Sequence, residues 1–173
     1  MDTIRCLVLD VDGVLTDGRL LYAGPGEPWR AFHVHDGLAI RWFQWLGGVV
    51  ALLTGKSGAT IEARAAELKI TEVIQHSRDK GADLEQLLAR LKLDPQQSAV
   101  IGDDLNDLPA MRRCGYPIAV ANAAPEVKAA ARYVTERPGG HGAVREAIEH
   151  LLRAAGRWDE VVAHYAAMGG APE

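Results

Sequence analysis

Two carboxylates separated by one residue, Asp10 and Asp12, follow an apolar run near the start of the chain. The run has the composition of a buried parallel strand. Because open α/β sheets bind ligands at the carboxyl ends of their strands, this pair is predicted to lie at a site. Crowded carboxylates repel each other, and Mg²⁺ held by oxygen ligands would compensate them. One Asp could then act as a nucleophile while the other shuttles a proton, and an Asp-rich helix cap is the alternative.

Two further candidates follow later apolar runs. Thr54 and Gly55 end a predicted strand and open a helix, so the Thr54 hydroxyl and nearby backbone N–H groups could bind a phosphate oxygen. The same pattern also occurs in ordinary turns. Lys80 lies just inside a predicted helix, where the macrodipole disfavours a cation. It could neutralise a nucleophilic aspartate and a bound phosphate, or it could be a solvated surface lysine.

The last candidate is an acidic cluster after Gly102. Asp103 is placed to complete a metal site with Asp10, and Asp104 is predicted to support that site from outside the ligand shell. Asp107 could cap the following helix, which contains Pro109, or support the metal site, or do both.

The elements that must position these residues are short apolar strands alternating with helical patterns. The predicted strands are 6–9, 49–53, 72–74, 99–101, 118–120 and 133–134. Alternation of this kind predicts one α/β domain over residues 1–173, a parallel sheet with helices on both faces. Residues 17–35 are predicted to form a β-hairpin insertion, and residues 139–173 a glycine-hinged C-terminal helix and tail. Asp36 is expected to cap a helix that starts at Gly37.

Composition excludes several classes of protein. The chain has 173 residues, 48% hydrophobic and 24% charged, which are globular values. A net charge of −4 predicts no nucleic-acid or anionic-membrane partner. No apolar run reaches the ~20 residues of a membrane span, and the first residues lack signal-peptide character, so a cytoplasmic location is expected. Cys6 and Cys114 form neither a metal knuckle nor a disulfide framework.

The motifs Asp-x-Asp, Thr, Lys and Gly-Asp-Asp-x-x-Asp, each predicted at a separate strand-to-helix junction, resemble those of the haloacid dehalogenase superfamily of phosphohydrolases. The resemblance covers nearly the whole chain and implies a phosphoaspartyl mechanism. It implies that Asp10 attacks phosphorus and that Asp12 protonates the leaving alkoxide and then activates water. Thr54 and Lys80 would bind the phosphoryl group. Mg²⁺ would be held by Asp10, the Asp12 carbonyl oxygen and Asp103.

The chain leaves no room for the cap domain of larger superfamily members. The stretches that begin at Asp10, Phe32, Thr54, Gly102 and Gly139 look like those of the family of 3-deoxy-D-manno-octulosonate 8-phosphate phosphatases. This resemblance implies a homotetramer in which hairpins pack together and tails reach neighbouring sites. It also implies a phosphorylated eight-carbon acidic sugar as substrate, on the route to lipopolysaccharide.

Two positions depart from that family's usual pattern, and both would face the sugar acid. Lys56 stands where the family usually has Arg, so charge survives while bidentate carboxylate recognition is lost. His141 stands where the family usually has Arg or Lys, and an imidazole is mostly neutral at pH 7 unless an anion raises its pKa. A nonulosonate 9-phosphate is the alternative substrate, although the basic Lys56 favours the eight-carbon sugar.

Two hypotheses of a different class remain. Receiver domains also combine acidic residues, a Thr and a Lys on a parallel sheet with Mg²⁺, but their acidic pair is adjacent and their phosphoacceptor follows a later strand. A non-catalytic tetramerising module would tend to lose the nucleophile or the proton donor, and this chain has both Asp10 and Asp12.

Overall fold

A single parallel sheet forms the centre of the protein. The computed structural model describes residues 4–22 and 24–168. The sheet has the order β3-β2-β1-β4-β5-β6, which is that of Rossmann-like folds. Its strands are β1 Cys6–Leu9, β2 Val49–Leu53, β3 Glu72–Ile74, β4 Ser98–Gly102, β5 Tyr116–Ala119 and β6 Tyr133–Val134. The predicted α/β fold is therefore confirmed; β4 and β5 begin slightly before the predicted residues.

Helices cover the sheet on both faces. They are α1 Val34–Trp45, α2 Ala59–Glu67, α3 Lys80–Leu91, α4 Leu108–Met111, α5 Pro125–Ala130, α6 Ala143–Ala154 and α7 Trp158–Met168. Helix α1 packs on α6, whereas α3 packs on α4, which contacts α5. Right-handed crossovers place these two groups on opposite faces. Strands β1 and β4 are consequently buried along their whole length. Among the described residues, no helix has the length and apolar character of a membrane span.

The segment expected as a hairpin pairs only weakly. Leu21 and Trp29 form one antiparallel bridge, with N···O distances of 3.3 and 3.0 Å. Around the turn the chain is rich in Gly and Pro, and Pro28 has no N–H to extend a ladder. Helix α1 already begins at Val34, so the insertion ends before the predicted residue 35. Residues 17–22 and 24–33 are called the flap below.

Helix α6 belongs to the core. It buries Ala143, Val144, Ala147, Ile148, Leu151 and Leu152. The Asp36 carboxylate, fully buried, accepts a hydrogen bond from the Arg145 N–H in the first turn of α6, at 2.7 Å. The expectation that Asp36 caps its own helix is therefore wrong. Burial raises the pKa of Asp36 above its usual value, and the Arg145 N–H bond opposes that shift.

The glycine-rich run before α6 is a fixed backbone contact. The Gly139 N–H donates to Asn122 Oδ1 at 2.7 Å, and the Gly140 N–H donates to the Val14 carbonyl at 3.0 Å. A Cβ at position 139 would lie 1.7 Å from the Gly13 carbonyl oxygen, so only glycine fits there. The run therefore packs against the loop that carries Asp12, and the described residues contain no free hinge at this point.

Candidate active site

Asp10 and Asp103 meet because their strands are neighbours. Strands β1 and β4 pair in parallel with Leu9 opposite Ile101, so the residues that follow emerge together at the carboxyl edge. The strand order reverses between these two strands, which is where open α/β sheets bind ligands. One carboxylate oxygen each of Asp10, Asp103 and Asp107 lie within 4.8 Å of one another. These three residues are called the carboxylate cluster below.

Lys80 neutralises part of the carboxylate cluster. Its Nζ donates to Asp10 Oδ1 at 2.7 Å and to Asp107 Oδ1 at 2.6 Å. The lysine side chain is only 3% exposed, so the surface-lysine alternative is wrong. Burial alone would lower the pKa of Lys80, but the two carboxylates raise it above its usual value. Lys80 is placed by the start of α3, which the Asp79 side chain caps by accepting from Gly81 and Ala82.

The carboxylate cluster keeps an excess of negative charge. Burial raises the pKa of Asp10 to about 6, with Asp107 adding to the shift and Lys80 opposing it. Burial and repulsion by Asp10 and Asp107 raise the pKa of Asp103 to about 7. Such shifts mark carboxylates that a further cation would stabilise in their ionised form. The donors are all oxygens, which suits Mg²⁺ better than a soft metal.

The turn between β1 and the flap is tightly constrained. Gly13 has a φ of +103°, and a Cβ there would lie 2.1 Å from Asp103 Oδ2. Glycine at this position therefore allows the Asp103 carboxylate to approach the backbone. The buried Thr16 hydroxyl accepts from the N–H groups of Gly13 and Gly18 at 3.3 and 3.2 Å. This turn fixes the backbone on either side of Asp12.

Asp107 orders the loop after β4. Its Oδ2 accepts from the backbone N–H groups of Asp103 and Asp104 at 2.8 and 3.2 Å. Its side chain makes no capping bond to α4, so the predicted cap of the Pro109 helix is wrong. The Lys80 ammonium and the two N–H groups occupy both carboxylate oxygens of Asp107, which explains why this side chain does not cap α4. Asp104 is exposed, and its carboxylate accepts the Leu105 N–H at 2.7 Å.

Asp12 is held by a residue that the motifs did not indicate. Arg30, from the flap, donates from Nε to Asp12 Oδ1 at 2.7 Å and from Nη2 to Oδ2 at 3.1 Å. Its remaining Nη1 donates to Thr60 Oγ1 at 3.2 Å. The hydrogen bond to Asp12 raises the pKa of Arg30 above its usual value, so the guanidinium stays charged. The predicted hairpin contains two arginines, Arg19 and Arg30, and nothing in its sequence indicates that Arg30 pairs with Asp12.

The remaining predicted residues border a pocket of about 170 Å³. It is lined by Asp10, Asp12, Thr54, Gly55, Lys56, Asp103, Asp104 and Asn106. Thr54 is 2% exposed, and its hydroxyl oxygen accepts the Lys56 N–H at 3.2 Å. The structure thus brings together nine of the ten predicted site residues in the pocket wall or in direct contact with it. His141 is exposed and does not line this pocket.

Comparison with known proteins agrees with this geometry. The model of the haloacid dehalogenase-like hydrolase family matches residues 49–148. The 3-deoxy-D-manno-octulosonate 8-phosphate phosphatase KdsC of Escherichia coli is 43% identical over 159 residues, which cover 92% of this chain and 85% of that relative.

Solved structures give the same result. The crystal structure of 3-deoxy-D-manno-octulosonate 8-phosphate phosphatase from Moraxella catarrhalis, in complex with magnesium ion, phosphate ion and KDO, matches with a TM-score of 0.92. The two are 38% identical, and the match covers 95% of this chain and 94% of that chain. The cobalt-bound phosphatase from Haemophilus influenzae matches with a TM-score of 0.88 at 38% identity, covering 91% and 92% of the two chains. The chain therefore belongs to the 3-deoxy-D-manno-octulosonate 8-phosphate phosphatase family of the haloacid dehalogenase-like hydrolases.

Proposed function

We propose that the protein is a Mg²⁺-dependent phosphatase that hydrolyses 3-deoxy-D-manno-octulosonate 8-phosphate through a phosphoaspartyl intermediate on Asp10. The observation that carries this proposal is the carboxylate cluster with its buried lysine. Lys80 contacts the proposed nucleophile at 2.7 Å, and the pocket beside them contains Thr54. The family to which the chain belongs supports the choice of an eight-carbon acidic sugar.

In the first step, an Asp10 carboxylate oxygen forms a bond to phosphorus, and the bond from phosphorus to the sugar oxygen breaks. Asp12 gives its proton to that leaving oxygen, because a sugar alkoxide is too basic to leave readily without one. Lys80 and the Thr54 hydroxyl, with the Gly55 backbone, would bind the phosphoryl oxygens. The Lys80 charge also keeps Asp10 ionised, as a nucleophile requires.

In the second step, water attacks the phosphoaspartyl group. A new oxygen–phosphorus bond forms and the bond from phosphorus to Asp10 breaks, which regenerates the carboxylate and releases inorganic phosphate. Asp12, now ionised, accepts the proton of the water. One carboxyl group thus serves as acid and then as base, and it returns to its starting state after each turnover.

The carboxylate cluster suits a divalent cation. Mg²⁺, when bound, supplies positive charge that stabilises the phosphoryl oxygens in the transition state. The Asp10 and Asp103 carboxylates and the Asp12 carbonyl oxygen would hold it. Both Asp107 oxygens already accept hydrogen bonds, so this residue would support the site from outside the ligand shell, together with Asp104.

Substrate choice would depend on groups around the pocket mouth. Lys56 is exposed and lines the pocket, where it could meet the carboxylate of the sugar acid. His141 would reach substrate only in the site of a neighbouring subunit. The alternative substrate is a nonulosonate 9-phosphate. A steady-state screen of eight- and nine-carbon ulosonate phosphates, comparing kcat/KM, tests the choice. Preference for a nine-carbon substrate would overturn the proposal.

A homotetramer would cover the flap. Four apolar side chains on and beside it are exposed: Leu21, Tyr22, Trp29 and Val34, between 58% and 77%. Exposed apolar side chains that cluster in this way are typical of interaction surfaces. Light scattering at micromolar concentration should give a tetramer mass, and Trp29→Glu should lower it. A monomer mass for the wild type would contradict the proposal.

The expected setting is the cytoplasm, where the dephosphorylated sugar would enter lipopolysaccharide synthesis. A cell fractionation with the enzyme assayed in each fraction tests this location. Turnover of an aryl phosphate with Mg²⁺ separates an enzyme from a receiver-like or tetramerising module, since neither of these would release phosphate repeatedly.

A further inference from the structure

Arg30 of the flap binds both carboxylate oxygens of Asp12, the proposed proton donor, and this two-bond contact is called the fork below. Nε and Nη2 of Arg30 donate to separate oxygens of the Asp12 carboxylate, at 2.7 and 3.1 Å. A planar guanidinium that bonds both oxygens fixes the plane of the carboxylate as well as its position. Each oxygen keeps a second lone pair, so the fork leaves room for a proton on Asp12.

Arg30 is itself fixed at three points. Its side chain is only 1% exposed, and its third contact is the Thr60 hydroxyl at the start of α2. A neighbouring flap residue, Glu27, accepts the Ala59 N–H at 2.7 Å in the same helical turn. Helix α2 directly follows the loop that contains Thr54, so the flap joins the proton donor to the phosphate-binding side of the pocket.

Stability alone does not explain this arrangement. A buried ion pair gains little over a well-packed apolar pair, because removing two charges from water is costly. Asp12 keeps 15% of its side chain exposed, and the residue lines the pocket beside Asp10. The fork therefore fixes the Asp12 carboxylate at the border of the pocket in which the leaving oxygen would lie.

We infer that Arg30 is a positioning residue that orients Asp12 for proton transfer to the leaving oxygen. The inference rests on the proposed function. It predicts that Arg30 matters only when the leaving group needs a proton. An octulosonate alkoxide needs one, whereas 4-nitrophenolate is stable without it. A purely structural role for Arg30 would affect both substrates to the same extent.

The test uses single turnovers with enzyme in excess, measuring release of the leaving group. Arg30→Met should slow octulosonate release about ten- to a hundredfold, which is the expected cost of a charged hydrogen bond. It should slow 4-nitrophenolate release by less than about threefold, because that step requires little acid catalysis. Arg30→Lys keeps the charge without the fork, so it should fall between Arg30→Met and the wild type.

Two controls make the result specific. Arg19→Met removes a flap arginine that is 83% exposed and should leave the ratio of the two release rates unchanged. In an Asp12→Asn background, Arg30→Met should slow octulosonate release by less than about threefold further, since coupled residues are non-additive. Circular dichroism and light scattering verify the fold and the oligomer of each variant.

Equal losses for both substrates in a folded Arg30→Lys variant would overturn the inference, as would additive losses in the Asp12→Asn background. The proposed function is tested separately by the wild type. If the wild type releases no octulosonate, that function fails, and an aliphatic phosphate that it does hydrolyse, such as glycerol phosphate, replaces the sugar in the Arg30 comparison.

Discussion

A single residue separates Asp10, the proposed nucleophile, from Asp12, the proposed proton donor, yet different parts of the molecule hold them. Asp10 is paired with Lys80, which enters from a core helix with its side chain 3% exposed. Asp12 is paired with Arg30, which enters from a flap that has one antiparallel bridge among its described residues. The first pair belongs to the sheet and its helices, whereas the second depends on a surface segment.

This difference separates two demands of the chemistry. A nucleophile needs a constant position and a constant charge, and burial beside a lysine provides both. A proton donor must serve as acid and then as base, with substrate and water entering in turn. Surface segments with few buried contacts open more readily than core elements do. The flap backbone has a single ladder bridge among its described residues, so its hold on Asp12 depends on side-chain contacts such as those of Arg30 to Asp12 and Thr60.

Replacing Asp10 in the core should cost more activity than any other change to the site. Asp10→Asn should lower kcat by ~10⁴-fold or more, because the amide is a poor nucleophile and a weaker metal ligand. The fold should remain, since the amide is nearly isosteric and removes one of three crowded carboxylates. Steady-state assays and thermal melts measure both effects, with Asp159→Asn in α7 as a control. Activity above a tenth of wild type would refute the nucleophile assignment.

Removing the metal should also act through the carboxylate cluster. After exhaustive EDTA treatment and dialysis, activity should fall by ~10³-fold or more, because charge stabilisation by a bound cation is worth several kcal/mol. Added Mg²⁺ should restore activity and raise the melting temperature, since ligands that bind the folded state stabilise it. Full activity in the metal-free protein would contradict the proposed site.

Lys80→Met tests the core pairing by stability. The variant should lose about 3–5 kcal/mol of unfolding free energy at pH 8 without metal, since buried carboxylates would lack their partner. Lys80 lowers the pKa of Asp10, so in its absence that pKa would lie above about 6. A raised folded-state pKa costs stability as pH increases, so the deficit should shrink at pH 5. Urea denaturation at pH 8 and at pH 5 measures the loss of unfolding free energy.

A matched control for this prediction is Lys56→Met. Lys56 lies at the same pocket but is exposed, so its loss should change the unfolding free energy by less than about 0.5 kcal/mol at either pH. Equal deficits for the two lysine variants, or a Lys80 deficit that grows toward pH 5, would show that Lys80 does not compensate the cluster.

The core half of the site could be predicted from the sequence. Asp10 and Asp103 each directly follow an apolar strand, and parallel strands end at one edge of a sheet. Adjacent order along the sheet then brings the two residues together. Lys80 was found because a cation at a helix start is unfavourable without a partner. Each of these residues could be recognised from its immediate neighbours in the sequence, and the parallel sheet then brings them into contact.

The flap half could not be predicted in this way. Arg30 lies 18 positions after Asp12 in the sequence, and no periodicity indicates that its side chain returns to that residue. Asp36 accepts from the N–H of Arg145, 109 residues later in the first turn of α6, so its position in α1 suggested the wrong partner. The glycine run was expected to be a hinge because glycine permits motion, but its missing side chains instead allow close backbone packing with Gly13.

The contact that anchors the flap to α2 should matter less for turnover than the contact of Arg30 with Asp12. Glu27 accepts the Ala59 N–H at the start of α2 and so anchors the flap without contacting Asp12. Glu27→Gln keeps an acceptor but removes the charge that favours a helix N-terminus, a loss of about 0.3–1 kcal/mol. Octulosonate phosphate turnover should fall only about two- to fivefold, in proportion to that free energy. Glu126→Gln, in the exposed first turn of α5, is the matched control. If Glu27→Gln lowers turnover as much as Arg30→Met does, flap docking as a whole, and not the Arg30 fork, orients the proton donor.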